Sequence, residues 1–282
     1  MTELRKKMEM ELTLKGYSES TKRAYIAHVK RYSKHYNVSP EMLGTEEIKK
    51  YLNYLIKKRK LSKSYINSAY SALKFFYERV ADQNWELKKI PRVKAQKILP
   101  TVLSKNEVLL ILDSLSNIKH RAMLSTIYSA GLRVSEAVAL KPEDIDSERM
   151  QIRVKCGKGQ KERYTILSET TLKLLREYYR SSKVCGPWLF PGKNPGCALS
   201  TRTVQRVFKK ALEKSGVRKK ASIHTLRHSF ATHLLENGTS IRYIQKLLGH
   251  TNIKTTTVYL QVTRFDLVKI KSPLDEMGDL ND

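Results

Sequence analysis

A chain of 282 residues with 40% hydrophobic side chains and a mean hydropathy of -0.48 can bury the cores of about two domains, and it contains no apolar run of the roughly 18 residues needed to cross a bilayer. Lysine and arginine number 54 against 27 aspartates and glutamates, a formal charge of +27 that points to a polyanionic partner, nucleic acid first. The cysteines Cys156, Cys185 and Cys197 form no C-x-x-C pair, which argues against a disulfide framework or a cysteine zinc site, and the charged residues 1–8 lack the apolar stretch of a secretory signal, so a cytoplasmic protein with reduced, structural thiols is expected.

Residues 3–14 and 18–36 read as helices. In the second, Tyr25, Val29, Tyr32 and Tyr36 recur at helical offsets along one face, and Ser18 or Ser20 can cap it. Residues 46–59 repeat the pattern with Ile48, Tyr51, Leu52, Leu55 and Ile56, and residues 64–80 with Ile66, Ala69, Leu73, Phe76 and Val80. A four-helix N-terminal domain follows, its aromatic residues at core spacing and therefore packing residues rather than platforms for stacked bases. Between Asp82 and Pro100 the helical period fails, which marks a linker.

Helical order resumes at Ser104-Lys-Asn-Glu107, a capping box ahead of Val108, Leu109 and Leu112. Met150–Lys155 and Arg163–Leu167 alternate apolar and polar residues on either side of Cys156-Gly-Lys-Gly-Gln-Lys161, the pattern of a β-hairpin with a glycine-rich turn. Further helices are expected at 106–115, 119–130, 133–139, 169–180, 201–215, 225–236, 240–248 and 254–259. The fold class is thus mainly α with a small antiparallel β element.

Three segments carry candidate chemistry. Gly131-Leu-Arg133-Val-Ser-Glu136 puts an arginine at a helix start, where backbone amides also favour an anion, although an Arg133–Glu136 ion pair would serve as well. In His224-Thr-Leu-Arg227-His228-Ser-Phe-Ala-Thr-His233, arginine offers a bidentate fork for phosphate and histidine can move a proton near neutral pH. His224 and His228 also stand four apart, as in zinc helices, but no carboxylate follows His224 and no third ligand is evident, so no metal is expected. Leu248-Gly-His250 precedes Thr255-Thr-Thr-Val-Tyr259; taken singly, Tyr259 is one of 15 tyrosines and reads as a core residue.

Taken in order, G-L-R-V-S-E, the K-G-Q-K-E-R hairpin, H-T-L-R-H-S-F-A-T-H, L-L-G-H and T-T-T-V-Y resemble the tyrosine recombinase or phage integrase family over roughly residues 100–265, with most likeness to short two-domain Xer-type and integron- or transposon-type enzymes. The resemblance implies a SAM-like core-binding domain at 1–84, a linker at 85–102, a mostly helical catalytic domain at 103–272 and a tail at 273–282. It further implies site-specific recombination, for integration and excision or for dimer resolution, through a 3′-phosphotyrosine intermediate and a Holliday junction. Tyr259 would be the nucleophile and His224 its proton acceptor; Arg133 and Arg227, helped by His224 and His250, would hold the scissile phosphate; Lys158 would protonate the leaving 5′-hydroxyl. Glu136 would support the site without reacting. Lys155 and Lys161 flank Lys158 at spacings that a shifted turn could accommodate. No cofactor is implied. The expected partner is double-stranded DNA, gripped by both domains as a clamp, with four protomers, identical or mixed with a related recombinase, on two paired sites, and residues 264–270 docking onto a neighbour. A non-catalytic DNA-binding regulator and a type IB topoisomerase-like nicking enzyme remain open as other readings of the same residues.

Overall fold

The computed structural model describes residues 3–82, 90–93, 99–155, 162–182, 186–194 and 196–261. Packing divides the chain into two compact units, Met1–Lys97 and Ile98–Asp282.

The first unit contains α1 (Glu3–Leu14), α2 (Glu19–Tyr36), α3 (Thr45–Lys57) and α4 (Lys63–Arg79). Of the two serines able to cap α2 it is Ser18 that does so, its Oγ accepting the Thr21 amide at 3.3 Å. Asn37, in the left-handed region at φ 54, closes the helix. Tyr32, Ala69 and Leu73 are fully buried where α2 packs on α4, and Leu12 of α1 is fully buried in the same core. The Tyr32 ring meets Tyr51 edge-on at 5.1 Å, and the Tyr77 hydroxyl donates to the Pro40 carbonyl at 2.5 Å, so these aromatic residues build the core as their spacing predicts. Ile56 departs from expectation: it is 42% exposed, one step past the stripe of Ile48, Leu52 and Leu55.

In the second unit follow α5 (Lys105–Asp113), α6 (Ile118–Ser129), α7 (Val134–Val138), β1 (Ile145–Asp146), β2 (Gln151–Val154), β3 (Arg163–Ile166), α8 (Glu169–Ser182), α9 (Thr201–Lys214), α10 (Ile223–Glu236) and α11 (Ile241–Leu248). The capping box forms, with Glu107 Oε2 accepting the Ser104 amide at 2.7 Å and Ser104 Oγ accepting the Glu107 amide at 3.2 Å. Behind it Val108, Ile111 and Leu112 are buried, whereas Leu109, expected inside, is 56% exposed. α6 runs through the centre, with Ala122, Met123, Leu124 and Ile127 fully buried among α7, α8 and α10. The hairpin strands pair as expected, Val154 opposite Arg163 and Ile152 opposite Thr165, and a two-residue β1, too short to leave a pattern, adds a third antiparallel strand.

The inner face of β3 carries Arg163 and Thr165, polar residues with assigned work. Thr165 Oγ1 donates to the Ala130 carbonyl at 2.8 Å, tying the sheet to the end of α6. The helix expected at 254–259 is instead two 3-10 turns, Ile253–Thr255 and Thr257–Gln261, because a run of β-branched threonines and valine is poor helix material. The glycine-rich turn with Lys158 and Lys161, the segment 264–270, Cys156 and Cys185 lie outside the described residues; Cys197 is exposed. Among the described residues no helix is long and apolar enough to cross a membrane.

Gly131 fixes how α6 hands over to α7. Its φ is +62, and a Cβ there would stand 2.3 Å from Cδ1 of Phe230, which packs across the turn from α10. Gly216 shares the backbone state, φ +73, but faces open space. Gly216→Ala should therefore cost about 1 kcal/mol from the left-handed backbone alone, and Gly131→Ala about 3 kcal/mol or more once Phe230 must move. Thermal unfolding followed by circular dichroism checks this; equal shifts would contradict the Phe230 contact.

Candidate active site

The turn through Gly131 leaves Arg133 as the N-cap of α7, with extended backbone at φ -71 and ψ 151. Glu136 is the third residue of that helix. Its Oε2 accepts the Arg133 amide at 2.7 Å and its Oε1 accepts Arg133 Nη1 at 2.6 Å, so the local pair foreseen from spacing forms. It is not the whole arrangement. Arg163, from β3, reaches the same carboxylate as a two-pronged fork, Nη1 to Oε1 at 2.9 Å and Nη2 to Oε2 at 2.8 Å, and Arg227 Nη1, from α10, stands 3.6 Å from Oε2. Burial raises the Glu136 pKa, but the hydrogen bonds and charges of Arg163 and Arg133 outweigh it and hold the carboxyl at about 2.

Arg163 is locked on every side. Its Nε donates to the Leu247 carbonyl at 2.8 Å, and its stem crosses Gly249, whose φ is +63 and where a Cβ would stand 2.8 Å from Arg163 Cδ. The glycine of Leu-Gly-His thus serves two purposes, closing α11 in the left-handed region and letting this arginine pass.

Arg227 is nearly as constrained. Its Nη1 donates to the Gly131 carbonyl at 2.7 Å and its Nη2 to the Leu248 carbonyl at 2.6 Å, with His250 Nε2 at 3.1 Å from that same Nη2. A guanidinium only donates, so His250 Nε2 must be the bare nitrogen, and Nδ1 carries the proton given to Thr256 Oγ1 at 3.0 Å. Burial first, then the charges of Arg227, Arg133 and Arg163, lower the His250 pKa to about 4 and keep the ring neutral. Burial likewise brings Arg227 down to about 10. Among the described residues three guanidinium groups converge on this one carboxylate in a mostly buried setting; Arg133, its side chain 29% exposed, is the most open of the three.

Tyr259 lies in the last 3-10 turn, 3% exposed, against Phe230, Ala231, Ile244 and Leu248. Burial raises its pKa, opposed by Arg227 and then Arg133, whose fields reach the phenol. His228 Nδ1 stands 3.1 Å from the Tyr259 hydroxyl. His224, the residue expected at that hydroxyl, is exposed in the first turn of α10.

The structure thus brings Arg133, Glu136, Arg227, His250 and Tyr259 into one cluster, with His224 at its edge. Two members escape the sequence reading. Arg163 looks like one more polar residue of an alternating strand, and the His224–His228 spacing draws attention to zinc rather than to the tyrosine. Of the three lysines considered, Lys155 is occupied elsewhere, its Nζ 2.7 Å from Glu143 Oε1 and 3.0 Å from the buried Asp144 Oδ1.

Two family descriptions match this chain, "Phage integrase family" over residues 101–264 and "Phage integrase, N-terminal SAM-like domain" over residues 4–87. The chain belongs to the phage integrase family, the tyrosine recombinases. The tyrosine recombinase XerA of Pyrococcus horikoshii is 37% identical over 256 residues, covering 89% of this chain and 86% of that protein. A crystal structure of XerA recombinase matches with a TM-score of 0.55 at 29% identity, over 99% of this chain and 98% of the other. The lambda integrase tetramer bound to a Holliday junction shares the fold, with a TM-score of 0.73 at 22% identity over 91% of this chain and 76% of that one. Membership fixes the class of chemistry, site-specific breakage and rejoining of DNA strands.

Depressed pKa values in this cluster make stability fall with acid, those of His250 and Glu136 by the widest margin. His250 is held at about 4 against an ordinary 6.5, so the unfolded chain takes up its proton first and stability is lost as pH falls from 6.5 toward 4. Glu136, at about 2 against 4.5, contributes stability that is complete above 4.5 and is lost as pH falls toward 2. Urea unfolding at a series of pH values should show both declines, and His250→Gln should make the upper one shallower, the remainder coming from His228, His28, His120 and His233, whose pKa values burial also lowers. A flat profile between 6.5 and 4 would contradict the buried neutral His250.

Proposed function

We propose that the cluster is a receptor for the scissile phosphate of double-stranded DNA and that Tyr259 attacks it. The observation that carries this reading is the convergence of Arg133, Arg163 and Arg227 on the carboxylate of Glu136, which places the charges of Arg227 and Arg133 within electrostatic reach of a tyrosine hydroxyl. Arg163 is spent on structure. Arg133 and Arg227 hold the non-bridging oxygens and stabilise the added negative charge of the five-coordinate transition state. His250, with Nε2 turned toward Arg227, and His224, exposed at the start of α10, assist them.

Tyr259 Oη forms a bond to phosphorus while the bond from phosphorus to the 5′ oxygen breaks, leaving a 3′-phosphotyrosine and a 5′-hydroxyl protonated by Lys158. Lys155, held by Glu143 and Asp144, anchors the end of β2. The new ester keeps the energy of the old one, so another 5′-hydroxyl reverses the step without a nucleotide or cofactor. Four protomers, acting on two paired sites in the cytoplasm, exchange strands twice through a Holliday junction; the shared fold with an integrase tetramer on such a junction supports this. The basic surfaces of both units supply the phosphate contacts that hold the duplex.

Because the target sequence is set by groove contacts and DNA deformability, the test uses a library of nicked duplexes with randomised cores. The native chain should trap a subset as a denaturant-resistant covalent adduct, and Tyr259→Phe should trap none. Arg133→Ala and Arg227→Ala should each reduce adduct formation by about 10²-fold or more. An adduct persisting in Tyr259→Phe would overturn the assignment.

A further inference from the structure

The phenol of Tyr259 is a weak nucleophile made weaker by burial, and at 3% exposure it has no ready access to bulk water as a base. Something in the protein has to take its proton. The family pattern assigns that task to His224, but His224 is exposed, one helical turn before His228 and about 6 Å from it along the axis, and makes no hydrogen bond to the tyrosine among the described residues. His228 is already in place. Its Nδ1 lies 3.1 Å from the hydroxyl, within reach for direct transfer, and the two rings are 5.7 Å apart.

We propose that His228, rather than His224, accepts the Tyr259 phenol proton as the tyrosine attacks the scissile phosphate. The proposal rests on the reading of Tyr259 as nucleophile. The surroundings of His228 favour a neutral ring, and a phenol hydroxyl at Nδ1 has its natural acceptor there when the ring proton is on Nε2. Burial, then His224 and Arg227 on its own helix, lower its pKa and oppose protonation. With the single proton on Nε2, the Nδ1 lone pair points at the phenol. His228 also lines a cleft with Thr225, Lys209, Glu213, Lys219 and Lys220.

The step balances. The Tyr259 O–H bond breaks and its proton passes to Nδ1 as Oη bonds to phosphorus and the 5′ oxygen departs with a proton from Lys158. On religation the imidazolium returns its proton to the departing tyrosine. Adjacent residues of α10 then serve the two reactants, Arg227 the phosphate and His228 the nucleophile, so a shift of this helix would misplace both together.

The test is single-turnover cleavage of a nicked duplex recovered from the covalent selection, followed across pH. His228→Ala should slow cleavage at neutral pH by about 10²-fold or more, with duplex affinity unchanged. It should lose the acidic limb of the pH–rate profile, gain rate steadily as pH rises, and be partly restored by added imidazole. His228→Asn, which can still hydrogen-bond the phenol but cannot take its proton, should stay slow. His224→Ala should keep the acidic limb. Cleavage by His228→Ala at the native rate with the native profile, or loss of the acidic limb in His224→Ala instead, would overturn the proposal. Should the His228 variants fail to fold, nitrogen-15 NMR of the native chain and Tyr259→Phe decides. The His228 Nδ1 resonance and its titration should shift when the hydroxyl is removed, and an unchanged resonance would overturn the proposal. The two readings fail separately: an adduct in Tyr259→Phe removes the nucleophile, whereas loss of the adduct there with native cleavage by His228→Ala removes only the base.

Discussion

Around the carboxylate of Glu136 and its arginines four distant stretches of chain meet: the turn after α6, the inner face of β3, the first half of α10 and the C-terminal end of α11. Arg133 and Arg163 bind it directly, Arg227 stands within ion-pair distance, and Arg163 and Arg227 continue to the carbonyls of Leu247 and Leu248. A buried carboxylate so placed would be costly unpaired, and each arginine would be costly without it, so the elements carrying them are held to one arrangement. Two glycines with positive φ make that arrangement sterically open, Gly131 beneath Phe230 and Gly249 beneath Arg163.

The same constraint explains how a structural cluster can also serve chemistry. The Glu136 carboxylate orients three guanidinium groups, whose charges lie within electrostatic reach of His250 and, for Arg227 and Arg133, of Tyr259. His250 is kept neutral by those charges and by burial, with Nδ1 fixed on Thr256. An incoming phosphate would supply the negative charge that the resting cluster lacks, which makes pre-organisation of the arginines the proposed source of much of the rate.

Most of this was legible in the sequence where residues sit in short boxes of fixed spacing: Arg133 with Glu136, Arg227 with its flanking histidines, His250 and Tyr259. The helices of both units were legible from apolar periodicity, with errors at Ile56 and Leu109, positions at a stripe's edge where hydrophobicity alone does not say which side of the boundary a residue takes. Arg163 was not legible. Its inward direction depends on strand register, and its partner lies 27 residues away in the chain. The role of His228 was hidden for a related reason, since its contact with Tyr259 joins residues 31 apart through the packing of a 3-10 turn that the periodicity read as a helix.

Glu136 is proposed to act by holding Arg133 and Arg227, with Arg163 as the structural fork between them, as a phosphate receptor. Glu136→Gln, assayed at a temperature where the variant is shown to be folded, tests it most directly. The neutral amide keeps the shape but can no longer accept two charged forks. Single-turnover covalent cleavage should fall by about 10²-fold or more while duplex affinity, set by many phosphate contacts, changes little. A folded Glu136→Gln protein that cleaves at the native rate would contradict the account.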